Sequence, residues 1–417
     1  MREMKDSGIS WVGEIPKEWS VNRAKYCFVN TKEIAGCMSD RYERLALTMN
    51  GVIKRSKDDS NGLQPEKFET YQILRPDELV FKLIDLQNVS TSRVGLSPYL
   101  GLVSPAYIIL KSNKRVLPAF AEKYFLMLWK NQIFNALGDA GVRSNLNSKD
   151  LLELSIPFPT FDEQQQIADF LDRECGKIDG LKADIQAQID TLEQYKRSVI
   201  TEAVTHGLNP SAPMKDSGIP WVGQFPTHWT KKKEKYILRY MSKPVKQDDG
   251  VITCFRDGEV TLRSNRREDG FTMADKEIGY QGVDVGDLVV HGMDGFAGAI
   301  GISDSRGKAS PVLNVLNTKQ NKKYIMYYLR SMAYGEVFTA LSTGIRVRSC
   351  DLRWNKLAEL LYPLPPIDEQ NNIVSYIDNQ IARTNEIIAD KKSQIETLDG
   401  YKKSLIYEYV TGKKEVV

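Results

Sequence analysis

Between Asp162 and Thr205 the chain runs 44 residues without a proline. Its Ile178, Leu181, Ile185, Gln188, Leu192, Tyr195 and Val199 fall alternately three and four residues apart. That spacing is the seam of a left-handed coiled coil, because under-winding to about 3.5 residues per turn keeps those positions on one side of a helix. The stretch returns from Asp368 to Thr411, 206 positions later and without a gap, with its seam at Ile387, Gln394, Leu398, Tyr401 and Leu405. Thr384 and Lys391 share that second stripe, and Ile388 and Ile395 lie beside it. Pro157 and Pro159 stop any earlier helix, and Thr160-x-x-Glu163 fits a capping box. The second copy has Pro363, Pro365 and Pro366 there, which leaves Asp368 as its cap. Each helix packs either on its own domain or against the other. A polar, Gln-bearing stripe repeated in phase suits two long helices pairing.

The repeat extends beyond the helices. Met4–Trp19 and Met214–Trp229 share eleven of sixteen positions at an offset of 210, including Trp11 and Trp19 against Trp221 and Trp229. These segments, rich in Gly, Pro and aromatic residues, read as structural clasps at the entry to each repeat. Fainter matches join clasp to helix: Leu79-Val80 with Leu288-Val289, Val94-Gly95 with Ile300-Gly301, and Gly141-Val142-Arg143 with Gly344-Ile345-Arg346. The chain is therefore a tandem duplication whose ends are nearly identical and whose middles have diverged.

Each middle mixes short buried-strand patterns with one amphipathic helix. The strands are expected at 77–81, 106–110 and 287–290, and the helix at 119–137. Strands followed by a helix, without regular βαβ alternation, predict an α+β fold. The expected division is a mixed α+β domain over 1–155, a long helix over 156–207, a linker over 208–213, a second such domain over 214–361 and a second long helix over 362–412.

Composition narrows the function. Hydrophobic content of 41% and charged content of 27% are ordinary for a soluble globular protein. The polar N-terminal segment is no signal peptide, and no apolar run approaches a membrane span. Cys27, Cys37, Cys175, Cys254 and Cys350 lie far apart without CxxC spacing, and read as reduced thiols of a cytoplasmic protein. His206, His228 and His291 lack metal-ligand spacing. Gly301–Ala309 has the wrong spacing for a phosphate loop and ends in Ala309 where Ser or Thr would hold magnesium. Pro76-Asp77-Glu78…Lys82 resembles a fragment of a nuclease site, but the second repeat has no matching lysine. No catalytic constellation emerges.

What remains is basic residues in matching places. Lys231 to Arg267 holds eleven Lys or Arg against five Asp or Glu. Such an excess is either a phosphate-binding footprint or solvated charge. Lys54, Arg55 and Lys57 follow Gly51 in the first repeat, and Arg256, Arg263, Arg266 and Arg267 surround Gly258 in the second. The loops Arg143-Ser144-Asn145 and Arg346-Val347-Arg348 also correspond. Arg reads guanine bidentately, Asn reads adenine, and Ser holds phosphates, so these are the candidate DNA-binding residues.

Two diverged α+β domains, each ended by a long helix, form a recognisable plan. With Pro363-Leu364-Pro365-Pro366 before Glu369-Gln370, Pro157-Phe158-Pro159 before Glu163-Gln164, and the paired clasps, the chain resembles the specificity subunit of a Type I restriction–modification enzyme over essentially its whole length. Thr160 departs from the proline pair, at a position where it can cap. The resemblance implies a non-catalytic subunit. Each target recognition domain would read half of a bipartite, asymmetric double-stranded DNA sequence. The long helices would pair antiparallel and set the distance between the halves. Each repeat would dock one adenine-methylating subunit, with Gln164, Ile167, Leu192, Tyr195, Gln370, Ile373, Leu398 and Tyr401 as the expected partner-binding positions. This chain would carry no cofactor. S-adenosylmethionine, ATP and magnesium would belong to the methylating and restriction subunits. Two other classes compete: a reader fused to its own nuclease or methyltransferase, and a coiled-coil scaffold with no DNA role. The first needs an Asn-Pro-Pro-aromatic motif or a carboxylate cluster, which the sequence lacks. The second predicts no salt-dependent DNA affinity.

Overall fold

A computed structural model of the chain describes residues 2–59, 67–86, 91–138, 145–266, 277–340, 352 and 354–416. The chain forms two compact units, Met1–Ile185 with Lys392–Val417, and Gln186–Lys391. The cut falls inside both long helices, Phe161–His206 and Ile367–Val410, so each unit holds the start of one helix and the end of the other.

Both units are built on the same frame. In the first, Met4–Asp6 and Glu14–Pro16 form a hairpin, and Trp19 behind it is buried. The Trp19 indole Nε1 donates to Glu163 at 2.9 Å, and Trp11 donates to the Tyr124 hydroxyl at 3.2 Å. In the second, Trp229 donates to Glu369 at 3.0 Å and Trp221 to Tyr328 at 2.9 Å. A buried indole N–H needs a partner, so each clasp locks onto the first turn of the helix that ends its own repeat. That use of Glu163 also corrects the expected capping box. Its backbone N–H reaches Thr160 Oγ1 at 3.4 Å, but its carboxylate turns to Trp19 and Arg2 instead of back to the cap.

Each mixed domain leaves the frame through a two-stranded ribbon: Ser20–Arg23 with Ser155–Phe158, and Thr230–Lys233 with Leu361–Leu364. Beyond the ribbon both domains carry an antiparallel four-stranded sheet of the same order. It runs Phe28–Thr31, Ile108–Ser112, Leu79–Phe81, Val94–Leu96 in the first unit, and Leu238–Tyr240, Leu313–Thr318, Leu288–His291, Ile300–Ile302 in the second. The helix Pro118–Lys130 buries Phe120, Tyr124, Phe125 and Leu128 in the first core, with Phe125 edge-on to Phe81 at 5.1 Å. The helix Lys322–Tyr334, capped by the Asn321 side chain, does the same with Tyr324, Ile325 and Tyr328. The helix expected over 119–137 is broken: Gln132 adopts φ 61°, and a short helix Ile133–Leu137 follows.

The outer layers share a strand order. In the first unit, Gly51–Arg55, Arg44–Thr48, Gly101–Val103 and Gln72–Leu74 form one four-stranded sheet with a parallel pair at its centre. In the second, Ile252–Cys254 pairs with Val260–Leu262 and Gln281–Val283 with Gly307–Ala309, and the parallel bridge Val251–Lys308 joins the two ribbons in the same order. The outer layers therefore differ in strand length and side chains, not in order.

Two interior substitutions distinguish the ribbons. Where the first unit buries Ala24 and Ile156, the second buries Glu234 and Tyr362. The Tyr362 hydroxyl donates to Glu234 Oε2 at 2.7 Å, and Oε1 has no partner among the described residues. Burial pushes this carboxyl up to about 8, against a smaller downward pull from the tyrosine hydrogen bond.

The long helices run antiparallel in each unit. In the first, Lys402 bonds Asp179 at 2.7 Å and 2.6 Å, and Lys182 reaches Asp399. In the second, Lys196 bonds Asn385 at 2.8 Å and Lys391 reaches Gln188. The seam is partly displaced from the expected one. Ile178, Ile185, Leu192 and Val199 face inward, but the positions between them are Lys182, Ile189 and Lys196 rather than Leu181, Gln188 and Tyr195. In the second helix Ile388, Ile395 and Lys402 replace Ile387, Gln394 and Tyr401. Leu181 is 53% exposed, Tyr195 47%, Ile387 46% and Tyr401 57%, which excludes them from the seam. Lysine stems cover apolar surface while their ammonium groups reach carboxylates at the edge, so a stripe containing Lys packs as well as one containing Tyr.

Candidate nucleic-acid interface

In the first unit the hairpin Arg44–Thr48/Gly51–Arg55 places Arg55 opposite Arg44 and Lys54 opposite Leu45. The turn at Gly51 has φ 87°, a conformation glycine reaches without a Cβ clash. Arg41, Arg44, Lys54, Arg55 and Lys57 together line a cleft of about 420 Å³, against Asp40 and Glu43. Lys54 pairs with Glu43 at 2.6 Å and lies 5.4 Å from the Tyr99 ring. Lys57 donates to the Ser39 carbonyl at 2.9 Å, and Arg55 pairs with Asp59 at 2.7 Å. The fold thus brings the three expected cations together and adds two that the sequence reading missed. Arg41 and Arg44 precede the turn, and only the hairpin register sets them beside Lys54 and Arg55.

The second unit distributes its cations differently. Arg256, Arg330, Lys196 and Arg197 line a cleft of about 810 Å³ that also holds Glu193, Asp257 and Glu336. Arg256 pairs with Asp294 at 2.9 Å, and Arg330 donates to the Asp257 carbonyl at 2.8 Å. Arg266 stands apart: it pairs with Asp257 and Glu259 and stacks 4.2 Å from the Phe255 ring, a structural clamp rather than an open cation. Arg263 reaches Thr253 Oγ1 at 3.4 Å. Asn145 accepts the Asp85 backbone N–H at 3.0 Å, which ties its side chain to loop packing. Arg143, Ser144, Arg267, Arg346 and Arg348 lie outside the described residues.

The basic run at Lys231–Lys235 is largely frame. Lys233 and Lys235 both pair with Glu359, at 2.6 Å and 2.5 Å. Arg23 and Lys25 pair with Glu153 at the matching place in the first unit. These triads hold the Glu359 carboxyl down at about 2 and lower that of Glu153, each through hydrogen bonds from its two cations. Lys231 donates to the Ser217 carbonyl at 2.7 Å. A repeated ion triad clamps the ribbon, so the local charge excess overstates the cations open to phosphate.

The expected partner-binding positions divide as well. Gln164 accepts the Leu117 N–H at 2.7 Å and donates to the Pro159 carbonyl at 3.1 Å. Gln370 accepts from Asn321 at 3.0 Å and donates to the Pro365 carbonyl at 2.9 Å. Both glutamines, with Ile167 and Ile373, are buried and join each long helix to its own domain, which corrects their assignment to a docking surface. Leu192 and Leu398 are half-buried in the seam, and Tyr195 and Tyr401 alone face outward.

Among the described residues, no group of three or more His, Cys, Asp or Glu is placed to hold a metal, and no helix is long and apolar enough to cross a membrane. Glu78, part of the nuclease-like fragment, accepts the Arg75 N–H at 2.9 Å, while Lys82 donates to Thr91 at 3.3 Å. Glu78 and Lys82 are thus engaged in local contacts.

Comparison with known proteins adds an independent line. Residues 84–191 match the family model of the Type I restriction modification DNA specificity domain. The putative type I restriction enzyme MjaX specificity subunit of Methanocaldococcus jannaschii is 23% identical over 452 residues, covering 97% of this chain and 96% of the relative. A chain from a structure on complex assembly and conformational transition of the type I R-M system superposes with a TM-score of 0.65 at 12% identity, over 96% of this chain and 99% of the other. At that identity the superposition establishes the shared fold. The HsdS subunit from Thermoanaerobacter tengcongensis gives a TM-score of 0.45 at 13% identity, over 96% and 98% of the two chains.

Proposed function

We infer that this chain, which belongs to the specificity subunits of Type I restriction–modification enzymes, reads a bipartite DNA target with one half assigned to each recognition domain. The observation that carries this reading is the pairing of a twice-built frame with two unlike basic clefts. Clasp lock, ion triad, ribbon, inner sheet and outer strand order are the same in both units, whereas the basic clefts differ in residues and place. Two readers of unlike sequences on a common mount call for that division. The cations of the clefts hold phosphates and fix register, while side chains of the outer layer address base edges. The first long helix, 46 residues, spans about 69 Å, so the helices bound the half-site separation at about two turns of duplex.

The chain supplies recognition rather than chemistry. Two methylating subunits, which bring S-adenosylmethionine, dock on the outward faces that carry Tyr195 and Tyr401, and restriction subunits join the complete complex. Co-expression with a methylating partner, followed by single-molecule mapping of modified adenines, tests the reading. A two-part motif with a fixed gap supports it and identifies both halves. No modification, with a partner shown to be active alongside its own specificity subunit, refutes it.

A further inference from the structure

The two ends of the long helices are not equally finished. In the first unit Phe170 and Tyr409 stack with ring centroids 4.4 Å apart, and the Arg173 guanidinium lies 5.4 Å from the Phe170 ring. Just beyond, Lys414 pairs with Glu408 at 2.9 Å. At the 206-residue offset the second unit has Tyr376 for Phe170, Ala203 for Tyr409, Asn379 for Arg173 and Glu202 for Glu408. After the helix-ending glycine it has Leu208-Asn209 where the first unit has Lys413-Lys414. One aromatic ring and three cationic residues are therefore missing from a place that is otherwise kept. In their absence the second unit has a groove of about 700 Å³ lined by Tyr195, Val199, Ala203, Leu208 and Tyr376, together with Glu202. Leu208 is 40% exposed and Tyr376 39%. Glu202, its side chain 72% exposed, has His206 Nδ1 at 3.4 Å in place of a lysine.

We propose that this groove is a docking site for a partner polypeptide that presents an aromatic side chain next to a Lys or Arg. The first unit shows what covers the position when the chain supplies it: a tyrosine ring on the aromatic residue of the opposite helix, and an ammonium group on the glutamate. Clustered exposed apolar side chains beside an open carboxylate form an interaction surface for the complementary pair. The groove depends on residues that differ between the repeats, so it accepts one occupant per chain. It shares Tyr195 with the face assigned above to the methylating subunits, and Ala203, Leu208 and Tyr376 set it apart from that face.

The test uses the full-length chain and a capped peptide of sequence Tyr-Val-Thr-Gly-Lys-Lys, a copy of Tyr409–Lys414. Titration followed by NMR or calorimetry is expected to show saturable binding of one peptide per chain. Ala203→Tyr, which installs the first unit's own filling, and Tyr376→Ala, which removes the ring beneath, should each weaken binding by up to about tenfold, the scale of an aromatic pair. Glu202→Gln should weaken it several-fold and remove its salt dependence, and replacing the peptide's tyrosine by alanine should abolish it. The two pocket variants perturb packing in opposite senses, one overfilling and one emptying, so a folding defect in one leaves the other interpretable. Absence of saturable binding to the wild-type chain, or equal binding to every folded variant, overturns the proposal. DNA affinity should be unchanged throughout, which keeps this test separate from that of the recognition reading.

Discussion

Glu234 offers the sharpest test of the energetics. Its carboxyl is raised from an ordinary 4.5 to about 8 because burial penalises the charged form. The folded state therefore holds this proton more tightly than the unfolded chain does. The linked stability is fully present below about pH 4.5, declines as pH rises, and is lost above about pH 8. At about 1.36 kcal/mol per pH unit, the whole window corresponds to about 5 kcal/mol, of which about 3 kcal/mol is gone by pH 7. Glu234→Gln keeps the shape and an acceptor for the Tyr362 hydroxyl but cannot ionise. Urea unfolding of wild type and variant at pH 5, 6, 7 and 8 isolates the contribution, since every other titrating group cancels in the difference. The variant should gain on wild type by about 1 kcal/mol per pH unit across this range. The matching residue in the first unit is Ala24, and a Glu placed there should introduce a pH dependence of the same sign. Parallel stability curves for wild type and Glu234→Gln would refute the argument. They would mean that the carboxyl is solvated or paired.

Ile189→Ala should cost about 2–4 kcal/mol, as a buried aliphatic truncation does, while Leu181→Ala should cost under about 0.5 kcal/mol. The reverse order in thermal or urea unfolding would restore the seam expected from apolar spacing. Glu163→Ala strands the Trp19 indole N–H and leaves Arg2 with Glu18 and Glu415 alone, and should lower stability by about 1–3 kcal/mol, read as a shift in urea midpoint. Lys54→Ala should lower the slope of log affinity against log salt by about 1 for DNA carrying the first half-site, without changing which bases are modified. An unchanged slope would remove Lys54 from the phosphate contacts. Tyr195→Ala with Tyr401→Ala should weaken co-purification of the methylating subunits while leaving the melting temperature unaltered.

How much of this was legible beforehand depended on what each residue does. The duplication, the paired long helices and the mixed domains follow from spacing and self-similarity, which survive divergence of surface residues. The seam phase did not follow, because Lys182, Lys196 and Lys402 look polar although their stems pack, while Tyr195 and Tyr401 look apolar although they face solvent. Gln164 and Gln370 drew notice through repetition, but repetition marks any shared role, and here that role is joining helix to domain. Arg41 and Arg44 were passed over because strand register, not sequence proximity, places them beside Lys54 and Arg55. Glu234, inside a run of lysines, reads as solvated charge, and only the fold shows it buried against Tyr362.

The ribbons that carry the recognition domains have a consequence for inheritance. Each domain is connected to the rest of the molecule by two adjacent antiparallel strands, with four residue pairs in register at each. The clasp and the helix start on either side of that junction are alike in both repeats. A foreign domain with the same two strand ends could be spliced in by crossovers within the repeated segments, with the clasp, the helices and their register left intact. The near-identical stretches of sequence that mark the frame are also the stretches where homologous recombination would act. On the proposed reading, a lineage carrying this chain can therefore exchange one half of its target in a single event, and keep the other half.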